Sequence, residues 1–416
     1  MRTHEKLQSG TPVIREFDVV IVGGGPSGAT AAHDLALKGR SVLLLDRAGR
    51  IKPCGGAIPP RAIKDFQIPD EMLVDKAIAA RMISPTAKKV DIPIEGGFVG
   101  MVDREHFDEW LRDRAASAGA VRQDATFEAI ERAKDGVALV RFNVKATDGS
   151  SDSVEYVRAK SVIGADGARS KVAQQCIEGS DKGKFVFAYH EIVQTPQNWA
   201  ANESPKPGQP GSRCDVYYNG TVSPDFYGWV FPHGKTMSIG TGSADKGYSL
   251  RSATQRLRRQ AGLENAITVR REGAPIPLKP LPKWDNGKDV VLAGDAAGVV
   301  APASGEGIYY AMFGGRLAAD AVETLLQTGQ GKSLAQARKR FMKAHGKIFW
   351  VLGIMQYYWY STDKRREHFV KICEDKDVQQ LTFESYMNKE LTRKKPMAHV
   401  RIFFKDMAHL LGFARA

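Results

Sequence analysis

The sequence predicts an α/β fold with a second, β-rich layer and a helical C-terminal region. Residues 17–46 have the pattern of a strand, a glycine turn, a helix and a second strand. Residues 289–293 form another short apolar run, followed by a loop and a helix that extends to about residue 326. Between these units, residues 185–282 hold several strand-like segments around a Pro-rich loop. The predicted architecture is therefore a sheet with helices, joined to a separate β layer.

The segment 17–46 is typical of a dinucleotide-binding unit. Its first strand is β-branched and apolar, as expected for a strand buried on both faces. The three glycines of a G-x-G-x-x-G turn follow it: Gly23, Gly25 and Gly28. The first allows the turn, the second lets a pyrophosphate approach the backbone, and the third brings helix against strand. The next strand ends at Asp46, whose carboxylate can accept hydrogen bonds from both hydroxyls of an adenosine ribose. A plain βαβ unit is the alternative interpretation.

Composition and charge limit the class of protein. The 416 residues are enough for one large core or two modest ones. The excess of 60 Lys+Arg over 47 Asp+Glu, a net charge of +13, favours an anionic partner. The sequence has neither a zinc spacing nor a recognised nucleic-acid motif, so we expect no metal site and no nucleic-acid partner. The four scattered cysteines indicate a reducing compartment without structural disulfides.

An anionic membrane surface fits the positive charge better than nucleic acid does. The sequence holds no apolar run of transmembrane length, and its first 16 residues lack the apolar core of a secretory signal. Residues 396–413 follow a basic triplet and repeat apolar side chains at helical spacing, which is typical of a helix lying in a headgroup layer. Residues 347–360 are also apolar and aromatic, but packing against the protein is the favoured interpretation for them. We therefore expect peripheral association at the cytoplasmic face of an inner membrane.

Three short stretches of the first half contain candidate site residues. A Gly- and Pro-rich loop after the second strand includes Cys54 and Gly55, and its glycines would let the chain cross a flat ring closely. Cys54 is equally compatible with a small buried residue in a turn. Arg104 stands at the entrance of a predicted helix, where it is either an exposed charge or a phosphate clamp. Asp166 and Gly167 form a sharp turn at the end of another strand.

The second half of the chain adds an aromatic cluster and a second nucleotide-type loop. Tyr227 and Trp229 belong to an aromatic run that either packs a core or lines a slot for a long apolar ligand. Gly294 and Asp295 end a strand, and residues 304–307 open the following helix, the usual place for a nucleotide in an open α/β sheet. The positive end of that helix could stabilise a reduced, anionic ring. No second G-x-G-x-x-G is present, so any nicotinamide must dock elsewhere and leave.

Three of these motifs together resemble the three fingerprints of the FAD-dependent, aromatic-hydroxylase-like flavoproteins. They are the G-x-G-x-x-G turn with Asp46, the Asp166–Gly167 turn, and Gly294 with Asp295. The resemblance implies a Rossmann-type FAD-binding domain in which Asp46 binds the adenosine ribose. It also implies that Arg104 and Asp295 bind the phosphate and ribityl region, and that Gly307 and Ile308 lie beside the flavin ring. The predicted cofactor-binding residues are Gly23, Gly25, Gly28, Asp46, Cys54, Gly55, Arg104, Asp166, Gly294, Asp295, Gly307 and Ile308.

Within that superfamily, the sequence is most similar to the geranylgeranyl reductases. The P-C-G-G loop at 53–56 looks like their cysteine-glycine loop, and residues 227–232 look like their Y-x-W-x-F-P motif. Gly298 stands where the hydroxylases carry a histidine. Residues 46–60 and 382–386 resemble the branch that acts on chlorophyll or bacteriochlorophyll in phototrophs, which would make the membrane photosynthetic.

The resemblance implies an NADPH-dependent reductase that converts geranylgeranyl to phytyl by reducing C=C bonds through FAD. The substrate would be a prenylated tetrapyrrole or geranylgeranyl diphosphate. Such isolated alkenes need a proton, which Cys54 could donate directly or through a water, and the aromatic faces of Tyr227 and Trp229 would favour a developing carbocation. One alternative is an FAD-dependent aromatic hydroxylase or halogenase on the same scaffold. A membrane-bound, pigment-binding flavoprotein without turnover is the other.

The same reasoning divides the chain into three parts. The FAD-binding domain would be discontinuous, made of residues 15–184 and 283–330 with a small β insertion at 127–157. Residues 185–282 would form the β-rich substrate-binding layer, and residues 331–416 the helical C-terminal region.

Overall fold

The structure is a computed structural model that describes residues 14–379 and Lys389, except 48, 50, 95–96, 147–150 and 200–208. The predicted motif at 382–386 and the amphipathic segment at 396–413 lie outside the described residues. The described strands are β1 (Glu16–Val22), β2 (Val42–Asp46), β3 (Ala57–Ile58), β4 (Asp75–Ala77), β5 (Ala79–Ile83), β6 (Lys89–Pro93), β7 (Val99–Met101), β8 (Val121–Asp124), β9 (Thr126–Arg132), β10 (Ala138–Val144), β11 (Ser153–Gly164), β12 (Phe185–Gln194), β13 (Arg213–Tyr217), β14 (Gly228–His233), β15 (Thr236–Ser243), β16 (Thr268–Pro277) and β17 (Val290–Leu292). The described helices are α1 (Pro26–Leu37), α2 (Pro60–Phe66), α3 (Arg104–Ser117), α4 (Lys171–Cys176), α5 (Leu250–Gln260), α6 (Ile308–Thr328), α7 (Gln336–Trp359) and α8 (Asp363–Ile372).

The first sheet is built around the predicted βαβ unit. Its strands follow the order β8-β2-β1-β11-β10-β9, and β17 pairs with β11. Strands β8, β2, β1, β11 and β17 are parallel neighbours, and the inner β1 is buried from Val19 to Val22. Helices α1 and α6 pack closely, because a Cβ at Gly315 would lie 2.2 Å from the carbonyl oxygen of Ser27. The α/β prediction for residues 17–46 is confirmed.

The predicted β insertion extends the first sheet rather than forming a sheet of its own. Strands β9, β10 and β11 pair in antiparallel order, and β11 then continues into the parallel part beside β1. The long β11 therefore connects the antiparallel strands β9 and β10 to the parallel part of the sheet that contains β1.

The second sheet forms the β-rich layer, in the order β16-β12-β15-β14-β13-β5-β6. Most of its strands come from the segment predicted for it. Strands β5 and β6, at 79–93, also belong to it, because β5 pairs in parallel with β13. The division predicted from the sequence assigns residues 79–93 to the FAD-binding segment. The alternating burial of β6 indicates a strand with one buried face, but this pattern carries no information about which sheet the strand joins. A small third sheet pairs β3, β7 and β4.

Helices α6 and α7 contribute to the core that packs against the first sheet, and α8 contributes Phe369 and Val370 to the aromatic core beside the second sheet. Helix α7 contains most of the apolar stretch 347–360, and its inner face buries Phe341, Ile348 and Phe349. None of the described helices is long and apolar enough to cross a membrane.

Candidate active site

The glycine turn between β1 and α1 leaves a backbone cradle where a side chain has no room. Gly23 has φ +104°, and a Cβ there would lie 2.3 Å from the carbonyl oxygen of Ala165. A Cβ at Gly28 would lie 1.8 Å from the carbonyl oxygen of Gly23. Gly25 caps α1 without a side-chain hydrogen bond to the first N–H groups of the helix. Those donors and the helix dipole fit a pyrophosphate.

Asp46 lies directly beside this cradle. A Cβ at Gly24 would come within 2.8 Å of Asp46 Oδ2. That oxygen accepts a hydrogen bond from Arg112 Nη1 at 3.0 Å, and Asp46 Oδ1 accepts one from the N–H of Arg47 at 2.9 Å. Burial raises the pKa of Asp46, and Arg112 opposes that change. The sequence analysis missed Arg112, since a basic residue in the middle of an exposed-looking helix carries no signal of this pairing.

Arg104 is buried, so the exposed-charge interpretation is wrong. Its guanidinium donates to both carboxylate oxygens of Asp108, at 2.7 and 2.6 Å. A Cβ at Gly25 would lie 4.0 Å from Arg104 Nη2, which places the guanidinium beside the glycine turn. Burial alone would lower the pKa of Arg104, but Asp108 and then Cys54 hold it above its usual value. This geometry leaves a fixed cation next to the pyrophosphate cradle.

The cysteine loop lies between Arg104 and the aromatic residues of the second sheet. Cys54 is half-buried, and its Sγ accepts the N–H of Gly56 at 3.4 Å. A Cβ at Gly55 would come within 3.2 Å of the Phe231 ring and 3.8 Å of Trp229 Nε1. A side chain at this position would therefore press against the ring of Phe231.

Strand β14 and the residue before it supply the aromatic surface. Tyr227 and Trp229 project to the same side, with ring centroids 6.1 Å apart at 65°. The Tyr227 hydroxyl donates to the carbonyl oxygen of Ser304 at 2.5 Å. Burial, followed by Tyr360, raises the pKa of Tyr227 well above its ordinary value. The phenol therefore stays protonated in a nearly dry environment.

A chain of buried polar groups holds the indole of Trp229. Trp229 Nε1 donates to Ser238 Oγ at 3.0 Å, and Ser238 Oγ lies 3.0 Å from His190 Nδ1. His190 Nε2 in turn lies 2.9 Å from a carboxylate oxygen of Glu272. Ser238 accepts from the indole, and in the tautomer that donates Nε2–H to Glu272, His190 Nδ1 accepts the hydrogen of the Ser238 hydroxyl. These residues come from three strands far apart in the chain, so the sequence analysis did not find them.

The loop of Gly294 and Asp295 meets the glycine turn of α1 and the Cys54 loop near the start of α6. Gly294 has φ +63°, and a Cβ there would lie 2.4 Å from Ser27 Oγ. Asp295 accepts a hydrogen bond from Lys52 Nζ at 2.5 Å, and Lys52 belongs to the loop of Cys54. A Cβ at Gly307, the N-cap of α6, would lie 3.8 Å from Asp295 Oδ1. Ile308 follows as the first, buried residue of α6.

The backbone of Asp166 lies beside the glycine turn, since a Cβ at Gly23 would lie 3.0 Å from the Asp166 Cα, but its side chain is hydrogen-bonded to the start of α4. Its carboxylate accepts hydrogen bonds from the Ser170 hydroxyl at 2.5 Å and from the N–H groups of Lys171 and Val172 at 2.6 and 3.2 Å. Burial raises the pKa of Asp166. The carboxylate is thus used at the start of α4, and a cofactor contact by Asp166 stays a prediction.

Comparisons with known proteins decide the family. A family model described as an FAD binding domain matches residues 16–185, which confirms the predicted FAD-binding domain. Over 95% of its length, the chain is 56% identical to a geranylgeranyl diphosphate reductase of Rhodobacter capsulatus, covering 98% of that protein. The chain belongs to the geranylgeranyl reductase family. A geranylgeranyl diphosphate reductase of Synechocystis is 34% identical, with 94% of this chain and 97% of that protein covered.

Solved structures of flavoproteins superpose on the fold of this chain. A geranylgeranyl bacteriochlorophyll reductase-like protein of Thermoplasma acidophilum superposes with a TM-score of 0.77 at 20% identity, covering 92% of this chain and all of that one. A flavin-dependent brominase superposes with a TM-score of 0.71 at 16% identity, covering 94% and 99%. At these identities the likeness shows the fold alone, and the predicted fold class is confirmed.

Proposed function

We propose that the chain is an FAD-dependent reductase that uses NADPH to convert geranylgeranyl groups to phytyl. The observation that carries the proposal is that the Cys54 loop, the aromatic strand β14 and the loop of Asp295 lie next to one another. The 56% identity to a geranylgeranyl diphosphate reductase supports the choice of substrate class. When bound, FAD supplies the transfer of two electrons from the nicotinamide to the carbon–carbon double bond.

The described residues fit FAD. The backbone N–H groups at the start of α1 and the guanidinium of Arg104 would bind the pyrophosphate. Asp46, oriented by Arg112, would bind the adenosine ribose. Gly307 would leave the start of α6 without a side chain beside the flavin ring; a Cβ there would lie 3.2 Å from Val300 Cγ2 and 3.8 Å from Asp295 Oδ1.

The chain's own residues would then supply binding, polarity and a proton. An isolated alkene carries no carbonyl to activate it, so electron transfer to carbon must be accompanied by a proton. Tyr227 keeps its proton and donates to Ser304, which leaves its aromatic face to stabilise positive charge together with Trp229. Cys54 is the thiol beside this surface, and we assign it the delivery of the proton. Phe231 widens the apolar wall for a prenyl chain.

The experiment is an anaerobic incubation with NADPH and either the geranylgeranylated pigment or geranylgeranyl diphosphate, followed by mass spectrometry of the tail. We expect the mass to rise by two hydrogens for each reduced bond. Comparing the two substrates identifies the preferred one. A strict requirement for oxygen would instead indicate the hydroxylase or halogenase alternative. NADPH bleaching of the flavin without reoxidation by either substrate would indicate a binding protein without turnover.

Removal of the Asp46 carboxylate should weaken FAD binding. Asp46→Ala removes a charge-assisted hydrogen-bond partner worth roughly 1.5–3 kcal/mol, which corresponds to about a tenfold or larger rise in Kd. Titration of the apoprotein with FAD measures this change. Asp124→Ala is a matched control, because Asp124 ends the neighbouring strand opposite Asp46 and is exposed. Equal affinities for the wild type and Asp46→Ala would remove Asp46 from the ribose site.

We also propose that the protein contacts an anionic membrane at the cytoplasmic face. Two features support this: the amphipathic sequence pattern of residues 396–413, and the outer face of α7. On α7, Trp350, Ile354 and Tyr357 lie at i, i+4 and i+7 and are 69%, 47% and 86% exposed. Aromatic side chains on a basic chain suit a headgroup layer.

Vesicle co-sedimentation tests this contact and separates the two surfaces. Binding should require anionic lipid and weaken with salt, because each cation near the surface contributes roughly 1 kcal/mol. Truncation after Arg393 should reduce binding most, and Trp350→Ser/Tyr357→Ser should reduce it less. Full binding by a folded truncation would exclude the tail as the anchor. Retention of binding by both variants would contradict the membrane proposal at these surfaces.

A further inference from the structure

The loop before α6 is closed by Glu306. The N–H of Ala301 donates to the carbonyl oxygen of Glu306 at 2.9 Å, and the N–H of Gly305 donates to that of Ala301 at 2.8 Å. The Glu306 carboxylate is buried, and its Oε1 accepts the N–H of Tyr309 at 3.1 Å. Glu306 precedes the N-cap Gly307, and its carboxylate therefore both shapes the loop and accepts one of the free N–H groups in the first turn of α6.

Lys389, near the C-terminal end of the chain, pairs with this carboxylate. Its Nζ lies 2.5 Å from Glu306 Oε2, and both side chains are only 3% exposed. The ammonium also lies 5.2 and 5.8 Å from the ring centroids of Tyr310 and Tyr309. A fully buried ion pair seldom stabilises a fold more than apolar residues of the same size would. Stability alone therefore does not explain why the Lys389–Glu306 ion pair is buried at this position.

Two tyrosines hold the same loop from other parts of the molecule. The hydroxyl of Tyr360, at the end of α7, donates to the carbonyl oxygen of Ala303 at 2.9 Å. The hydroxyl of Tyr227, next to β14, donates to that of Ser304. Together with Lys389, these contacts show that the path of the loop depends on segments outside the FAD-binding unit.

We propose that Lys389 is a positioning residue of the active site: it holds Glu306 as the cap of α6 and neutralises its carboxylate beside the flavin ring. This inference rests on the proposed function, which puts the ring next to Gly307 and Ile308. The first N–H groups of α6 carry a partial positive charge that favours a reduced, anionic ring. An unneutralised carboxylate at the same helix end opposes that effect. Lys389 neutralises the negative charge of Glu306 and leaves its hydrogen bond to the helix in place.

The charge argument predicts opposite effects for the two halves of the pair. In holoprotein redox titrations, Lys389→Met should lower the midpoint potential of the flavin, because it leaves a negative charge beside the ring. Glu306→Gln should raise the midpoint potential, because it leaves the positive charge of Lys389 without its partner. Lys389→Met/Glu306→Gln should return close to the wild type, and Lys389→Arg should also stay close, because it keeps the charge.

A second measurement needs no cofactor. In the apoprotein, hydrogen exchange at the Tyr309 amide reports whether Glu306 still caps the helix. Loss of a cap speeds local opening by roughly fivefold, and we expect Lys389→Met to have this effect. Lys38→Met is the matched control, because Lys38 pairs with Asp320 at 2.8 Å, further along the same helix. That variant should leave both the Tyr309 exchange and the flavin potential unchanged.

The outcomes separate this inference from the proposed function. If the wild type binds FAD and reduces its substrate, but the single variants keep wild-type potential and exchange, Lys389 is not a positioning residue. Shifts of the same sign in Lys389→Met and Glu306→Gln would contradict charge compensation. If Lys389→Met does not fold, the rise expected for Glu306→Gln and the recovery expected for the double variant still decide the question. A wild type that binds no FAD overturns the proposed function itself.

Discussion

Replacing Cys54 with serine is expected to slow alkene reduction by roughly a hundredfold or more, the range typical for loss of a positioned proton donor. Serine nearly matches the size of cysteine but is a much weaker acid, so the fold and the loop beside Arg104 should persist. FAD affinity and bleaching of the flavin by NADPH should therefore stay near the wild type. Single-turnover experiments that follow flavin reduction and reoxidation separately measure the two steps.

Cys176→Ser is the matched control for this prediction, since Cys176 is also half-buried but lies in α4, away from the aromatic strand. It should leave both steps unchanged. Wild-type turnover in Cys54→Ser would return Cys54 to a purely structural role under the ring. A parallel fall in flavin reduction and reoxidation would indicate a displaced flavin instead of a missing proton.

The second large effect concerns the buried pair of Arg104 and Asp108. Arg104→Met should destabilise the protein by about 3–5 kcal/mol, because it leaves the Asp108 carboxylate buried without its bidentate partner. It should also abolish FAD retention, because the cation beside the glycine turn is lost. Thermal unfolding of the apoprotein and FAD titration measure the two losses independently.

The double variant Arg104→Met/Asp108→Leu separates stability from binding. Replacing both charges with apolar side chains removes the unpaired carboxylate, so much of the stability should return. FAD binding should not return, because neither new side chain can bind a phosphate. A stable double variant with wild-type affinity for FAD would show that Arg104 serves only the fold.

Local sequence pattern was sufficient for the elements that carry the cofactor. The run 17–46 specifies strand, turn, helix and strand through residue periodicity and through glycines at positions where a Cβ would collide. The three fingerprints and the aromatic motif then indicated the family, which the comparison with the Rhodobacter capsulatus protein confirms. Such features are readable because they depend on neighbours only a few residues away.

Pairings between residues that are distant in the chain were decided only by the tertiary structure. Strands β5 and β6 join the second sheet because β13 provides the matching edge, and no local pattern encodes that choice. The partners of Asp46 and Trp229 come from other elements, and the Asp166 carboxylate is hydrogen-bonded to the start of α4 although its backbone adjoins the glycine turn. Lys389 pairs with Glu306 at the start of α6 although 83 residues separate the two in the chain. The sequence determined the elements and their chemistry, while packing and strand register decided which side chains meet, since both depend on the whole chain at once.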